Sequence, residues 1–407
     1  MAEQAETGDA AREFVPTPEM DALRETVRDH CTRAWDEPAV RAVSEGEKSA
    51  LDEWRVLGEQ LGVLGLAVPE RWGGAGAGLV EAAVVAEELG AVLAPVPYLS
   101  AVLAARTLLG SGDEAACDDL LPGLCDGSRV FAVARADAAG RWAAAPTVRA
   151  AGDGERFRLD GAAAGAVDAG AATDLLVVAE GPTLFHVAAD APGLVRKRVP
   201  TLDLTRPQAD LRFENVPARL VGAKGAAAPG PAEDAAVALL AAELVGASRT
   251  MLDMSVAYAK ERMQFGRPIG SFQAVKHRCA DMLVELELAR SVAAHAAWAH
   301  DHATRPEGDD PALAASLAHV VAADAAKRIT GGAIQVLGGI AITWEHPAHL
   351  YYKRAVAAAA LWGGRTHRTR LAALAVEEPV VGEPVVGKPV VGKPVVDEPA
   401  GGGAVHV

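Results

Sequence analysis

The stretch 262–273 reads Arg-Met-Gln-Phe-Gly-Arg-Pro-Ile-Gly-Ser-Phe-Gln and concentrates cationic, amide and aromatic side chains. It ends one strongly helical segment and opens the next. Gly266 and Pro268 forbid a continuous helix there, and Pro268 pushes Arg267 into an extended conformation. The corner is expected to present Arg262, Gln264 and Phe265 on one side and Phe272 and Gln273 on the other. A guanidinium suits a pyrophosphate, and an aromatic ring suits a heterocyclic base. Read as a lone arginine-rich corner, the same residues would be a solvated helix hairpin.

Acid–base candidates are fewer. Glu243 lies on the helix before the corner, and His367 lies near the end of the last one. A histidine titrates near neutrality, but the expected place for His367 is the surface of the bundle end. Glu243 is expected to be a structural or interface carboxylate. Cys31, Cys117, Cys125 and Cys279 show neither metal-ligand spacing nor the density of a disulfide scaffold. No metal site is expected, and the thiols are read as reduced.

The elements that must position these groups follow from periodicity. Residues 1–17 are expected to be disordered, and 18–127 to form a helical domain, with apolar residues at three- and four-residue steps. Glu87 and Glu88 interrupt its long apolar helix from Leu79. Residues 128–225 alternate short apolar runs with turns and predict a β-domain, with Glu180-Gly181-Pro182 as a hairpin loop. Residues 226–376 predict four long helices, 235–262, 271–303, 311–337 and 348–375, in an antiparallel bundle. The tail, 377–407, repeats Pro-Val-Val-Gly units and predicts disorder. The fold class is α+β.

Composition bounds the rest. A chain of 407 residues with net charge −15 has ample core and argues against nucleic-acid or anionic-membrane partners. The polar, acidic N-terminus is unlike a signal peptide, and no uninterrupted apolar span predicts a membrane helix. The expected location is the cytoplasm.

Three motifs carry a family resemblance. The corner resembles the R-x-Q-F-G-x-P-I-x-x-F-Q signature of acyl-CoA dehydrogenases. Gln335-Val336-Leu337-Gly338-Gly339 with Thr343-Trp344-Glu345-His346-Pro347 resembles Q-x-x-G-G-x-G-x-T-x-E-x-P. Gly65 to Gly74 resembles a third, N-terminal motif. The resemblance spans roughly residues 20–375 in order. It implies an N-terminal helical domain, a central β-barrel domain and a C-terminal four-helix bundle. It implies FAD as cofactor, α,β-dehydrogenation of an acyl-CoA thioester, and an electron-transfer flavoprotein-like acceptor. By carry-over, Arg262, Gln264, Phe265, Gln273, Gln335, Gly338 and Gly339 would bind FAD across a subunit interface. Ala341 stands where many relatives have glycine.

The same resemblance exposes a depletion. The family's flavin-ring strands supply hydroxyls and a tryptophan. Here those regions read Arg135-Ala136-Asp137-Ala138-Ala139-Gly140 and Asp160-Gly161-Ala162-Ala163-Ala164-Gly165-Ala166-Val167. The family's two base positions fall on Trp362 and Ala236. Glu243, on roughly the same helix face as Ala236, would have to reach about 10 Å along the axis. With these departures, Gly338-Gly339-Ile340-Ala341-Ile342-Thr343-Trp344-Glu345-His346 and Leu361-Trp362-Gly363-Gly364 resemble the branch that includes subunits of heteromeric, steroid side-chain-type acyl-CoA dehydrogenases. One subunit of a mixed assembly is therefore the first expectation. A homomeric dehydrogenase with a relocated base and a non-catalytic structural subunit are the alternatives.

Overall fold

The computed structural model describes residues 17–377, apart from Ala143, Glu155 and 305–308. The segments expected to be disordered, 1–16 and 378–407, lie outside the described residues. The chain begins with helices α1 (Pro18–Ala34), α2 (Glu37–Ser44), α3 (Leu51–Arg55), α4 (Leu79–Ala91), α5 (Tyr98–Gly110) and α6 (Glu114–Cys125). The starts of α1, α2 and α6 carry side-chain caps: Thr17, Asp36 and Asp113 accept backbone N–H groups of the first turn.

Strands then take over: β1 (Phe131–Ala134), β2 (Arg149–Asp153), β3 (Arg156–Val167), β4 (Asp174–Ala179), β5 (Thr183–Ala188), β6 (Leu194–Val199) and β7 (Gln208–Val221). They form one sheet in the order β1-β4-β5-β7-β3-β2, with β6 also on β7. Strands β4 and β5 pair antiparallel around Gly181, which has φ +68, so the hairpin loop stands where the sequence puts it. The long β7 holds the sheet together. It pairs with β3 along its length, with β6 through its first half and with β5 at its end.

The bundle follows: α7 (Gly230–Glu261), α8 (Gln273–Asp301), α9 (Pro311–Leu337), α10 (Ala348–Ala358) and α11 (Gly364–Glu377). The single fourth helix expected over 348–375 is in fact two. Trp362 and Gly363 take φ +47 and +83, a left-handed step that ends helical hydrogen bonding.

Helix α7 is the axis of the molecule and packs on α4, α5, α8 and α9. Its run of alanines lets neighbours approach closely. Gly246 faces α4 so tightly that a Cβ there would stand 1.8 Å from the Glu87 carbonyl oxygen. The N-terminal helices and the bundle therefore share one apolar core, to which β1, β4 and β5 add side chains such as Phe131, Leu176 and Leu184, and the rest of the sheet has a second core. Among the described residues α7 is the one helix long and apolar enough to span a membrane, and it lies mostly buried in this core.

Candidate functional site

The α7–α8 corner is a miniature hairpin. Helix α7 stops at Arg262, and β8 (Met263–Gln264) pairs with β9 (Arg267–Pro268) around Phe265-Gly266. Both turn residues have positive φ, +52 and +74, the signature of the tight turn that matches strand twist. Few aromatic residues adopt that conformation. Here it holds the Phe265 ring 91% exposed. The expected separation of the two aromatic rings does not hold, because Phe265 and Phe272 meet edge to face at 6.0 Å. The Arg267 guanidinium lies 4.2 Å over Phe272. Arg262 and Gln264 are exposed, as is Gln273, which stands 3.4 Å from His277 Nε2.

The Gln335–Gly339 turn closes α9. Gln335 is exposed. Gly338 caps the helix with φ 70 and ψ −144, a combination essentially confined to glycine. A Cβ at Gly338 or Gly339 would meet nothing within 4 Å, so this backbone is open to a close-approaching group. The alanine at 341 is turned inward and buried, so the backbone approach it put in doubt is not blocked by its methyl group. Beyond it the Trp344 ring stacks on His349 at 4.8 Å, with Arg41 and Lys353 beside it. Arg41 also donates to the Trp344 carbonyl at 2.6 Å, which ties this turn to α2. Among the described residues, no hydrogen bond or ion pair joins the corner to the Gln335–Gly339 turn. Both lie open on the surface.

The two base positions look different. Trp362 is buried against Trp142, with ring centroids 6.3 Å apart. Arg135 lies 5.7 Å from the Trp142 ring and pairs with Glu233. Trp142 and Glu233 did not emerge from the sequence. Glu233 lies one turn before Ala236 on α7, and that spacing was the available signal. Burial pushes its carboxyl up, against the pull of Arg135. Ala236 has no solvent exposure. His367 is not a surface residue: it is buried, stands 3.0 Å from Ser316 Oγ, and burial pushes its pKa down.

Glu243 sits in a buried charge cluster joining all three parts of the chain. Arg206 from the β-domain and Arg354 from α10 both hold its carboxylate, the latter at 2.5 Å. Arg354, 2% exposed, also donates to Asp203 at 2.5 Å, and Thr205 completes its contacts. Burial alone would raise the pKa of Glu243. The two guanidiniums outweigh it and hold the carboxyl below its usual range. A carboxylate so held is a poor proton acceptor. Nearby Asp168 accepts from Ser100 Oγ at 2.6 Å, and burial pushes its pKa up. This cluster is not legible along the chain, because Arg206 and Arg354 are ordinary until the fold buries them.

Comparison with known proteins decides the family. Residues 17–128 match the acyl-CoA dehydrogenase N-terminal domain family, and residues 236–375 the C-terminal domain family. The chain is 37% identical to the acyl-CoA dehydrogenase IpdE2 of Mycolicibacterium smegmatis, over 85% of this chain and 94% of that one. This chain belongs to the acyl-CoA dehydrogenase family. The Mycobacterium tuberculosis IpdE2 is 36% identical over 86% of this chain and 94% of its own length. Two solved structures are similar throughout. The Tcur3481-Tcur3483 steroid acyl-CoA dehydrogenase variant has 34% identity and a TM-score of 0.78, covering 88% of this chain and 98% of that one. The ChsE4-ChsE5 complex from Mycobacterium tuberculosis has 30% identity and a TM-score of 0.79, covering 90% and 100%. Of these relatives, the Tcur3481-Tcur3483 protein is a steroid acyl-CoA dehydrogenase.

The fit to FAD is divided along the cofactor. The corner and the Gln335–Gly339 turn offer a free guanidinium side chain, exposed aromatic edges and open glycine backbone, which suit a nucleotide and its pyrophosphate. The flavin-ring end does not fit. Alanines line 162–164, and the tryptophans of the region, Trp142 and Trp362, pack on each other.

Proposed function

We propose that this chain is one subunit of a mixed acyl-CoA dehydrogenase assembly. In it, the chain supplies the nucleotide-facing half of a FAD site whose ring lies on a partner subunit. The reaction is α,β-dehydrogenation of an acyl-CoA thioester, for which FAD, when bound in the assembly, would supply the hydride-accepting group. A steroid-derived acyl group is the substrate class favoured by the relatives, and an electron-transfer flavoprotein-like protein is the acceptor class. The observation that carries the reading is the mismatch within one molecule. The outward corner is complete, while Trp362 and Ala236 occupy the base positions and Glu243 is locked between two arginines.

Proton abstraction next to a thioester needs a free carboxylate within about 3 Å of the carbon acid in a dry site. This chain offers none at those positions, so the base comes from the partner. What its own residues do is bind and orient. Arg262 would neutralise pyrophosphate charge, and Phe265 would cover the nucleotide. Gln264, Gln273 and Gln335 would donate amide hydrogen bonds, and Gly338 and Gly339 would admit the phosphate to backbone distance.

The test is purification of the chain alone and together with an acyl-CoA dehydrogenase partner from the same organism. The expected result is a colourless, inactive chain that joins a yellow, active assembly. In that assembly Arg262→Ala lowers FAD content, through loss of a charge-assisted contact worth about 1.5–3 kcal/mol. An isolated chain that is yellow and turns over acyl-CoA would overturn the reading. So would a mixed assembly whose FAD content is indifferent to Arg262→Ala.

A further inference from the structure

A cavity lies away from the α7–α8 corner and the Gln335–Gly339 turn. It measures about 570 Å³ and opens between α1–α2, the end of α4, the second half of α7 and the start of α10. That volume falls in the range of small-molecule sites. Neither the α7–α8 corner, the Gln335–Gly339 turn nor Trp362 contributes to its walls. We propose that this cavity binds a small uncharged ligand with an apolar body and one hydroxyl or carbonyl group.

The apolar body follows from the walls. Trp35, Val40, Val92, Leu93, Met254 and Leu350 line the space. Leu93 bears directly on the argument. It ends α4 in the left-handed conformation, φ +54. Its N–H reaches the Gly90 carbonyl at 3.1 Å, and the Ala94 N–H reaches that of Leu89 at 3.0 Å. That closing motif normally uses glycine, because a side chain there strains the backbone. Leucine keeps the strain and in return places a 2% exposed side chain in the cavity wall.

The absence of ligand charge follows from the polar groups. Glu88 accepts bidentate bonds from Arg28, at 3.0 Å each, and further bonds from Arg249; with Asp253 also in the wall and Glu37 paired with Arg41, the two guanidiniums face two carboxylates and no excess charge remains. Asp253 has no ion-pair partner among the described residues, but it shares the wall with the two arginines, so a ligand charge of either sign meets its own sign there. The hydroxyl protons of Thr250 and Tyr351 are both spent on the Ala91 carbonyl, at 2.7 and 2.8 Å, and that of Thr32 on the Arg28 carbonyl at 2.8 Å. Their oxygens remain as acceptors. Arg28 Nη1 remains as a donor, since Nε and Nη2 hold Glu88. One ligand hydroxyl or carbonyl matches that inventory.

The probe is prodan, a neutral naphthalene bearing one ketone, titrated into the full chain by fluorescence. The expected result is saturable binding of one probe per chain, with blue-shifted emission. Thr32→Trp and Met254→Trp, which fill the cavity from its rim, weaken binding about tenfold or more while circular dichroism stays native. Leu288→Ser removes an exposed apolar side chain on α8 and leaves binding unchanged. The anionic analogue anilinonaphthalene sulfonate competes poorly. Non-saturable binding, equal binding in both filled variants, or loss of binding in Leu288→Ser would each overturn the proposal.

Discussion

At the scale of single residues, the molecule is governed by carboxylates that the fold takes out of water. Glu88 is 1% exposed yet fully ionised, because Arg24, Arg28 and Arg249 surround it. Burial would raise its pKa, but these arginines carry it from 4.5 down to about 2. A depressed carboxylate contributes stability above its ordinary pKa and loses it as pH falls through the folded one. The contribution, on the order of 3 kcal/mol, is present above about pH 4.5 and drains away between there and pH 2. Thermal melts from pH 6 to 3 should therefore steepen in that window for the wild type and flatten for Glu88→Gln. Glu243→Gln tests the other cluster. It leaves Arg354 with half of its counter-charge and should cost about 3–5 kcal/mol, as expected when one member of a buried pair is removed. In the active mixed assembly its effect on turnover per folded molecule should be small, because the carboxylate holds arginines rather than moving protons. A large loss of kcat with an unchanged melting temperature would make Glu243 the base after all.

At the scale of elements, the contact that sets the geometry is α4 against α7. Two glycines make it possible. A Cβ on Gly90 would stand 2.1 Å from the Glu243 carbonyl oxygen, and one on Gly246 closer still to that of Glu87. Those distances are to backbone, which cannot swing aside as a side chain would. Gly246→Ala should lower stability by at least about 1–3 kcal/mol through forced separation of the helices. It should do so although alanine is the better helix former. A denaturant midpoint raised by this substitution would contradict the packing. The break between α10 and α11 belongs to the same scale. Trp362 in a left-handed conformation turns the chain and swings its ring inward onto Trp142.

At the scale of the whole molecule, the order along the chain hides a shared core. The N-terminal helices and the C-terminal bundle are separated by the entire sheet, yet their buried side chains form one cluster, joined by part of the sheet, while the remaining sheet residues form another. The two helical parts should unfold together. Amide exchange in α4 and α7 should report one common protection, and a fragment covering 230–377 alone should fail to fold cooperatively. Independent folding of that fragment would refute the shared core.

What the sequence determined by itself was local and chemical. Gly266 and Pro268 force a corner whatever surrounds it, and residues of fixed spacing there resemble one family's signature. A change of apolar period announces helix, then strand, then helix. Gly181 between two short apolar runs specifies a hairpin without help from the rest of the chain. Tertiary structure decided every property that depends on partners far away in sequence. Glu87 and Glu88 read as interruptions of an apolar helix until arginines from α1 and α7 reach them. Glu243 and Asp203 take their character from Arg354, 111 and 151 residues away. His367 reads as a surface group until packing buries it, and the inward turn of Trp362 requires a left-handed step that its own side chain disfavours. A residue's type fixes what it can donate, accept or bury. Whether the charge is solvated or paired, and whether a carboxylate is free or held, depends on dielectric and neighbours that only the folded chain creates.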